Sequence, residues 1–470
     1  MKKRLTLCIV IVLVILLGVS TINCDGEPAP SPATSPSPTP TPTPSPAPAP
    51  APTPTPSPSP IPAVKWTVSE RLINEIDQSS WVAESLTGSA DGRRVAYTAE
   101  EVNVQVVDVD GVESEKVTKQ FVVVDGVEGN RYDAIINLIF SPDSQRVAYA
   151  AQDGSKRVVV VDDQAGSRYD RVESLIFSPD SQRVAYMARK GNNQFVVVDG
   201  TEGRQYDRII NLAFSPDSQR VAYAAQEGSR WVVVVDSKQY SLYHDIEAGS
   251  LIFSPDSQRV AYGATVVIEK NQWFVVVDGQ AGKQYDKVKF PIFNPDSQRV
   301  AFAAQQGSRW VMVVDGKEGE QYDDVKSPTF SPDGQRVAYA AEEGAWRFVV
   351  VDGAEGRQYL GIESLIFSPD SQRVAYAAKR GSRWAVVVDE KVGEQYLEVE
   401  PPVFSPDSKQ VAYAAGEDSK WVVVVGGTEG EQYDGIVTTG EGKIIFDSAD
   451  NLHYLAIRGN GIYLVEARLD

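Results

Sequence analysis

The side chains of this chain that could perform chemistry are mainly carboxylates that recur at a regular spacing. One series follows proline and the other follows tyrosine. They include Asp143, Asp180, Asp217 and Asp256 after proline, and Asp170, Asp207, Asp286 and Asp323 after tyrosine. Paired carboxylates could perform acid–base catalysis or hold a cation. A residue that serves every repeat in the same way is typical of a scaffold, because a catalytic centre is asymmetric. We therefore assign both series to turns.

Histidine and cysteine are scarce in this sequence. The chain has 2 His and 2 Cys among 470 residues, which excludes a multi-histidine metal site and a cysteine cluster. It also has no Walker phosphate-binding loop, no HExxH zinc motif and no G-x-S-x-G nucleophile motif. We therefore expect no catalytic residue, no metal and no cofactor, and a protein that is not an enzyme.

The elements that must position these residues come from an internal repeat. The string SPDSQRVAYAA begins at Ser141, and near-copies 37 to 40 residues apart begin at Ser178, Ser215, Ser254, Asn294, Ser331, Ser368 and Ser405. Weaker copies begin at Ser89 and Ser448. A period near 40 residues is typical of a propeller or a solenoid. Each unit contains short apolar runs separated by Pro-Asp and Gly-Ser turns and no stretch at helical spacing, which predicts about four short strands.

The run WVVVV, as at Trp231, is apolar on both faces of a strand. A sheet with one solvated face would alternate apolar and polar residues, so both faces must be buried between neighbouring sheets, as in a propeller. We assign one equivalent position to packing between blades: Trp231, Trp273, Trp310, Trp384 and Trp421. The predicted fold class is all-β, a single β-propeller of about ten four-stranded blades, with a strand near Trp66 completing the last one. If the weak end units are caps, the ring has eight or nine blades.

The repeated FSPDSQRVAYAA resembles the Pro-Asp signature of TolB-type, WD-like propeller repeats. The resemblance covers nearly all of residues 64–470 and implies an exported β-propeller in the periplasm or at the cell surface. Gly92 and Gly334 supply the glycine that usually follows Asp in that family, whereas serine takes its place in most copies. The function of TolB itself is not implied, because the α/β domain that precedes its propeller has no counterpart here.

The first 63 residues predict export and tethering. Residues 1–24 join a basic start to an apolar run, which suits a signal peptide or an uncleaved membrane anchor. Cys24 lies where a bacterial lipoprotein signal places its acylated cysteine, and we expect lipidation there. Residues 25–63 are rich in Pro, Ser, Thr and Ala and predict a disordered, extended linker. Residues 64–470 then form an extracytoplasmic propeller, anchored to the membrane only through its N-terminus.

Candidate binding residues are found where blades differ from one another. Residues just before the LIF run of each unit should lie near the ring axis, and they mix both charges. His244 lies in a segment, Asp236–Ser250, that breaks the repeat. Longer connections occur at Gly263–Phe274 and at Glu101–Phe121, where an extra hairpin is expected. The candidate binding residues are Asn137, Glu173, Asn211, His244, Lys289, Lys326, Glu363 and Glu400.

The net charge of −19 argues against nucleic acids and anionic membranes as partners and favours a cationic surface. The predicted function is a monomeric, non-enzymatic, membrane-tethered scaffold that binds a protein or another cell-envelope component. The alternative is a propeller that binds a carbohydrate or small ligand. Lyase or hydrolase activity at the channel mouth would then require a suitably spaced carboxylate pair, such as Glu363 and Glu400.

Overall fold

The computed structural model describes residues 65–77, 79–82, 85–105, 115–266, 272–437 and 444–469, the side chains of 103–105 and 115–117 excepted. These residues form ten antiparallel sheets of four or five strands and contain no helix. In this part of the chain, therefore, no helix is long and apolar enough to cross a membrane. The predicted signal or anchor at 1–24, Cys24 and the linker at 25–63 lie outside the described residues.

Each sheet is one blade, and the blades are numbered 1 to 10 along the chain. The first three blades have the strands Thr87–Gly88, Val95–Gln105, Glu115–Val124 and Val127–Glu128 in blade 1; Ala134–Phe140, Val147–Asp153, Lys156–Val161 and Gln164–Tyr169 in blade 2; and Arg171–Phe177, Val184–Lys190, Asn193–Val198 and Thr201–Glu202 in blade 3. The next three have Arg208–Phe214, Val221–Glu227, Arg230–Val235 and Lys238–Tyr243 in blade 4; Asp245–Ile246, Ile252–Phe253, Val260–Thr265, Trp273–Val277 and Gln280–Ala281 in blade 5; and Lys287–Phe293, Val300–Gln306, Arg309–Val314 and Lys317–Tyr322 in blade 6. The last four have Asp324–Phe330, Val337–Glu343, Trp346–Val351 and Ala354–Glu355 in blade 7; Gly361–Phe367, Val374–Arg380, Arg383–Val388 and Lys391–Tyr396 in blade 8; Glu398–Val399, Val403–Phe404, Val411–Glu417, Lys420–Val425 and Thr428–Tyr433 in blade 9; and Gly435–Ile436, Ile444–Phe446, Asn451–Arg458, Gly461–Leu469 and Trp66–Glu75 in blade 10. The first strand is split in two in blades 5, 9 and 10. First strands of blades 6, 7 and 8 contact one another, so they lie on the axial side of the ring.

The valine-rich third strand of each blade is buried on both faces because a blade lies on either side of it. In blade 4, Val232 and Val234 belong to the apolar cluster shared with blade 3. Val233 and Val235, one residue further along, belong to the cluster shared with blade 5. Burying one such side chain fully contributes about 1.5–3 kcal/mol. The absence of alternation in the sequence therefore reflects burial between two sheets, as predicted.

Aromatic side chains fill the spaces between blades. Tyr206 and Tyr223 meet edge to face across blades 3 and 4, with ring centroids 6.0 Å apart. Trp231 is 5% exposed in the cluster between blades 4 and 5. Trp310 packs in the same way against the cluster between blades 6 and 7. The predicted packing role is confirmed for four of the indoles, those of Trp231, Trp273, Trp310 and Trp421. Trp384 instead lines a cavity described below.

The two recurring carboxylate series both support turns. Ser141 Oγ donates to Asp143 Oδ1 at 2.5 Å, and the Asp143 N–H donates to Ser181 Oγ of the next blade at 2.8 Å. The hydrogen bond from Ser141 is the main reason that the pKa of Asp143 is held below its ordinary value. In the second series, Asp170 Oδ2 accepts the N–H of Gly191 at 2.6 Å. These carboxylates thus bind turns and neighbouring blades together.

A recurring arginine links each of eight blades to the next. Arg146 donates from Nε to its own blade's Asp162 at 2.8 Å and from Nη1 to the carbonyl oxygen of Ser181 in the next blade at 3.0 Å. Its guanidinium also lies over the Phe177 ring, 5.4 Å from the centroid. The equivalent arginines are Arg94, Arg183, Arg220, Arg259, Arg299, Arg336 and Arg373. In blade 9 the equivalent residue is Gln410.

The ring is closed by the first described strand, Trp66–Glu75. It pairs antiparallel with Gly461–Leu469, with Trp66 opposite Leu469 and Glu75 opposite Gly461. An apolar cluster that includes Val95 and Leu455 joins blade 10 to blade 1. Buried His453 spans the same junction, with Nδ1 2.7 Å from Asp447 Oδ2 and Nε2 2.7 Å from the carbonyl oxygen of Asp91. The predicted closing strand is confirmed, and the ring has ten blades.

The two glycines that follow Asp stand opposite unusually large neighbours. A Cβ on Gly334 would lie 2.7 Å from Nδ2 of Asn294, which replaces the usual serine in blade 6. A Cβ on Gly92 would lie 3.1 Å from Nε2 of His453 in blade 10. At the same turn position Ser371 adopts a φ of 65°, close to the 72° of Gly334. Contact with the preceding blade, more than backbone conformation, therefore explains these two glycines.

Glu70 connects the closing strand to blades 9 and 10. It accepts hydrogen bonds from Tyr433 Oη at 2.6 Å and from Arg458 Nη1 at 2.7 Å. Burial raises the pKa of Glu70, but these hydrogen bonds outweigh burial and lower the pKa below its ordinary value of 4.5. A lowered folded-state pKa stabilises the fold above the unfolded-state pKa, and this stabilisation is lost as the pH falls through the folded-state value.

We expect Glu70→Gln to lower the free energy of unfolding by about 1–2 kcal/mol at pH 7, because it weakens charge-assisted hydrogen bonds. The difference from wild type should narrow as the pH falls below about 4.5. Urea unfolding of both proteins between pH 7 and pH 3.5 measures this difference in the free energy of unfolding. A difference that does not change over this range would contradict the expectation.

Candidate functional site

The candidate residues that precede the LIF runs occupy two neighbouring positions of the first strand. The expectation that they are equivalent in every blade is therefore corrected. Asn137 and Asn211 have left-handed backbones, with φ of 54° and 61°, and lie within irregularities of the strand register. The others lie one residue earlier in their blades: Glu173, Lys289, Lys326, Glu363 and Glu400. This offset is visible in the sequence, because Asn137 directly precedes the LIF run of its unit whereas Ser174 separates Glu173 from it. The β-bulge at this point of the first strand is not visible there.

Two of the candidates are engaged in structural contacts. Asn211 Nδ2 donates to the carbonyl oxygen of Glu247 at 3.0 Å, and its Oδ1 accepts the N–H of Gly249 at 2.5 Å. Asn211 thereby ties blade 4 to the split first strand of blade 5. Glu173 forms an ion pair with Arg171 of its own blade at 2.6 Å.

Lys289 and Lys326 both contact one carboxylate. Lys289 Nζ lies 2.9 Å from Asp324 Oδ1 across the junction of blades 6 and 7, and also 4.1 Å from the ring centroid of Trp310. Lys326 Nζ lies 3.0 Å from Asp324 Oδ2. Burial raises the pKa of Asp324, but the hydrogen bonds from the two lysines outweigh it and lower the pKa. Asp324 is therefore held as a carboxylate between two cations.

His244 and Glu400 lie apart from this group. The N–H of half-buried His244 donates to the carbonyl oxygen of Thr265 at 2.7 Å, at the position that Asp occupies in the second carboxylate series. The N–H of Glu400 donates to the carbonyl oxygen of Ala414 at 2.8 Å. Neither residue lines the two cavities described next.

A cavity of about 520 Å³ between blades 7 and 8 brings two of the eight candidates together, Lys326 and Glu363. Trp384 lines the same cavity. The indole is accessible there because residue 361 is glycine, where a Cβ would lie 3.1 Å from Trp384 Cη2. An adjoining ion pair, Arg347 Nε to Glu342 Oε2 at 3.1 Å, completes a wall of mixed charge.

A second cavity, of about 640 Å³, shares Leu360 and Lys379 with the first. It adds Trp346, Arg357 and Arg380, none of which was among the candidates from the sequence. A signal for them was present in the sequence. Blade 7 reads GAWR where blades 4, 6 and 8 read GSRW, and blade 8 reads KR where blades 4 and 6 read QE and QQ.

Within the described ranges, no three or more His, Cys, Asp or Glu side chains form a group that could hold a metal ion. The chemistry that the two cavities offer is therefore that of cations, carboxylates and exposed aromatic faces. Such groups recognise a ligand by charge and by contact with a flat apolar surface.

Comparison with known proteins finds no matching family profile and no matching curated protein. Among solved structures, a eukaryotic initiation factor is 13% identical, with 68% of this chain and 94% of that chain covered and a TM-score of 0.44. TolB from Acinetobacter baumannii is 14% identical, with 68% and 78% covered and a TM-score of 0.27. The β-propeller domain of Cps50 (Swd1) from Myceliophteria thermophila is 13% identical, with 54% and 98% covered and a TM-score of 0.29. The ten sheets and their closure show the chain to be an all-β, ten-bladed propeller built from internal repeats.

Proposed function

We infer that the chain is a non-enzymatic binding scaffold, a ring of TolB-type repeats that holds a protein or cell-envelope component outside the cytoplasmic membrane. One observation carries this proposal: the recurring carboxylates of the described blades are engaged in turns, as Asp143 and Asp170 are. What remains different from blade to blade is the set of loops, strand ends and cavities. A scaffold with variable edges suits recognition better than catalysis.

Blade 1 offers the clearest irregular edge. Its second and third strands, Val95–Gln105 and Glu115–Val124, have 11 and 10 residues, whereas those of blade 2 have 7 and 6. The insertion therefore lengthens the hairpin formed by the blade's own second and third strands instead of adding the separate hairpin expected from the sequence, and residues 106–114 lie outside the described residues. Val102 and Val127 are exposed in this blade, at 46% and 70%. An extended hairpin with apolar residues at its side is a suitable contact surface for a protein.

The net charge of −19 should draw a cationic partner to the ring and make the association rate fall with added salt. Tethering through residues 1–24, with lipidation of Cys24, would keep the ring at the extracytoplasmic face of a membrane. A diacylglycerol adduct in the mass of the mature N-terminus tests this part of the proposal.

We expect the immobilised full chain to retain a specific envelope protein at low salt and to release it at high salt. The control is the Val68→Pro/Ser69→Pro variant, which should open the ring as argued in the Discussion. Capture from envelope extracts, with proteins identified by mass spectrometry, compares the two. Retention of the same proteins by both chains would refute the proposal that the closed, folded ring provides the binding surface.

A second candidate function, binding of a carbohydrate or small ligand, is favoured by the two cavities between blades 7 and 8. Lyase or hydrolase activity has less support, since Glu363 lines one of these cavities and Glu400 lines neither.

A further inference from the structure

The groove between blades 7 and 8, defined by Trp346, Arg357, Leu360, Lys379 and Arg380, lacks an ion pair that four other blade junctions have. At those four junctions a cation on the third strand meets an aspartate just before the next blade. These pairs are Lys119–Asp133, Lys156–Asp170, Arg309–Asp323 and Lys420–Asp434. In the groove the two positions hold Trp346 and Leu360, which are 47% and 39% exposed. An ion pair has been replaced by an open apolar surface.

The exposure of Trp346 follows from one change in residue order. Blade 7 has Trp346 before Arg347, whereas blade 6 has Arg309 before Trp310. Successive side chains of a strand point to opposite faces, so this exchange moves the indole to the other side of the strand. Trp310 packs against the cluster between blades 6 and 7, while Trp346 faces the cavity.

A second ion pair is replaced by two cations. At the junction of blades 3 and 4, Arg204 pairs with Glu227. The equivalent residues in the groove are Arg357 and Arg380, so two guanidinium groups occupy the places of a cation and an anion. Lys379 adds a third cation, with Nζ 5.4 Å from the ring centroid of Trp384. Like charges placed this way repel each other unless an anion lies between them.

The protein itself supplies little to balance these charges. Within the described part of the chain, Arg357, Lys379 and Arg380 have no ion-pair partner. Burial raises the pKa of buried Tyr359, and the charge of Glu390 raises it further. Arg357 and Arg380 both oppose that rise, so their charges act at the same point beside the cavity. Glu390 itself accepts a hydrogen bond from Tyr376 at 3.3 Å.

We propose that the blade 7–8 groove binds an acidic saccharide, with its anionic group between Arg357 and Arg380 and a sugar face on Trp346. This inference rests on the second candidate function, small-ligand binding, and not on the protein scaffold. A guanidinium fork matches a carboxylate, sulfate or phosphate group, and a cavity of about 640 Å³ is of the size that small ligands occupy. The adjoining cavity shares Leu360 and Lys379 and exposes a second indole, Trp384, which gives a neighbouring sugar residue a similar surface.

A saccharide accounts for these features better than a polymer recognised mainly through charge. The chain carries a net charge of −19, which opposes nucleic acids and extended polyanions at a distance. Two adjacent cavities, each with a tryptophan and sharing one lysine, instead suit a short chain of sugar units with an acid group. An acidic peptide is the competing ligand and becomes one arm of the test.

Isothermal titration calorimetry of the full chain tests the proposal with uronate, sulfated and phosphorylated oligosaccharides, neutral oligosaccharides of equal length and an acidic peptide. At least one acidic oligosaccharide should bind, and its neutral counterpart should bind at least tenfold more weakly. Trp346→Ala and Arg357→Glu should each raise its Kd at least tenfold. Arg204→Ala, which changes the equivalent arginine at blade 3, should leave Kd within twofold.

Trp346 and Arg357 line an open cavity, so both variants should fold, and thermal unfolding verifies this. The proposal is overturned if no acidic oligosaccharide binds, if neutral ones bind equally well or if only the peptide binds. It is also overturned if both groove variants bind like wild type. Arg357→Glu should still capture the protein partner proposed above, so the two ideas can fail separately.

Discussion

Replacing Val68 and Ser69 together by proline will open the ring and lower its thermal unfolding midpoint by about 10 °C or more. The closing strand Trp66–Glu75 pairs with Gly461–Leu469, and Val68 and Ser69 lie in the first half of this strand, opposite Ala467 and Glu466. Neighbouring residues of a strand alternate in the direction of their N–H groups, so one of the two prolines must remove a ladder hydrogen bond. Because the whole strand is displaced, the free energy of unfolding should fall by on the order of 5 kcal/mol.

The opened ring should also associate with itself. Gly461–Leu469 would become an edge strand with free N–H and C=O groups, which can pair with another chain. Size-exclusion chromatography and proteolysis at Arg71 report on this change. The matched control is Val68→Thr/Ser69→Thr, which keeps a residue suited to strands at both positions. An unfolding midpoint equal to that of the control would mean that the closing strand contributes little.

The second large effect is expected from the coupled pair Asn294 and Gly334. Gly334→Ser alone places a Cβ 2.7 Å from Asn294 Nδ2 and should cost about 2–3 kcal/mol. Asn294→Ser alone removes a buried amide whose Oδ1 accepts the N–H of Arg299 at 2.8 Å, and should cost about 1–2 kcal/mol.

The free energy of unfolding of the double variant should fall by less than the sum of the two single losses, with a difference of at least about 1 kcal/mol. With serine at both positions, the hydroxyl introduced by Gly334→Ser can accept the N–H of Asp296, as Ser181 Oγ accepts that of Asp143 at 2.8 Å. Backbone strain should not prevent this, because Ser371 already adopts a φ of 65° at the same turn position. Urea unfolding of the four proteins measures the coupling, and additive changes would disprove it.

Much of the fold could be predicted from the sequence because the repeat is local and regular. The apolar runs, the Pro-Asp turns and the period near 40 residues predict short strands in stacked blades, and these form. The closing strand near Trp66 could also be predicted, since the last repeat lacks a strand and an open edge is unfavourable. The choice of ten blades depended on contacts between residues far apart in the chain, such as Glu70 with Tyr433 and Arg458.

Candidate residues were harder to predict than strands. Asn137 lies directly before the LIF run of its unit, whereas Ser174 separates Glu173 from the run in blade 3, so this offset could be read from the sequence. The β-bulge that gives Asn137 and Ser174 left-handed backbones could not. Of the eight candidates, Lys326 and Glu363 share a cavity. Arg357 has an equivalent in Arg204, and the change from QE or QQ to KR that introduces Arg380 does not by itself indicate a site. Their significance arises only when one blade lies beside the next.

The sequence by itself determined the all-β class, the repeat unit and the burial of both faces of the valine-rich strands, because these depend on the spacing of residue types within one unit. Only the tertiary structure decided the blade count, the strand register and which side chains meet between blades. Trp346 shows the difference: its changed order is visible in the sequence. Its exposure beside Arg357 and Arg380 exists only because blades 7 and 8 pack together. Contacts between blades depend on geometry that no single repeat contains.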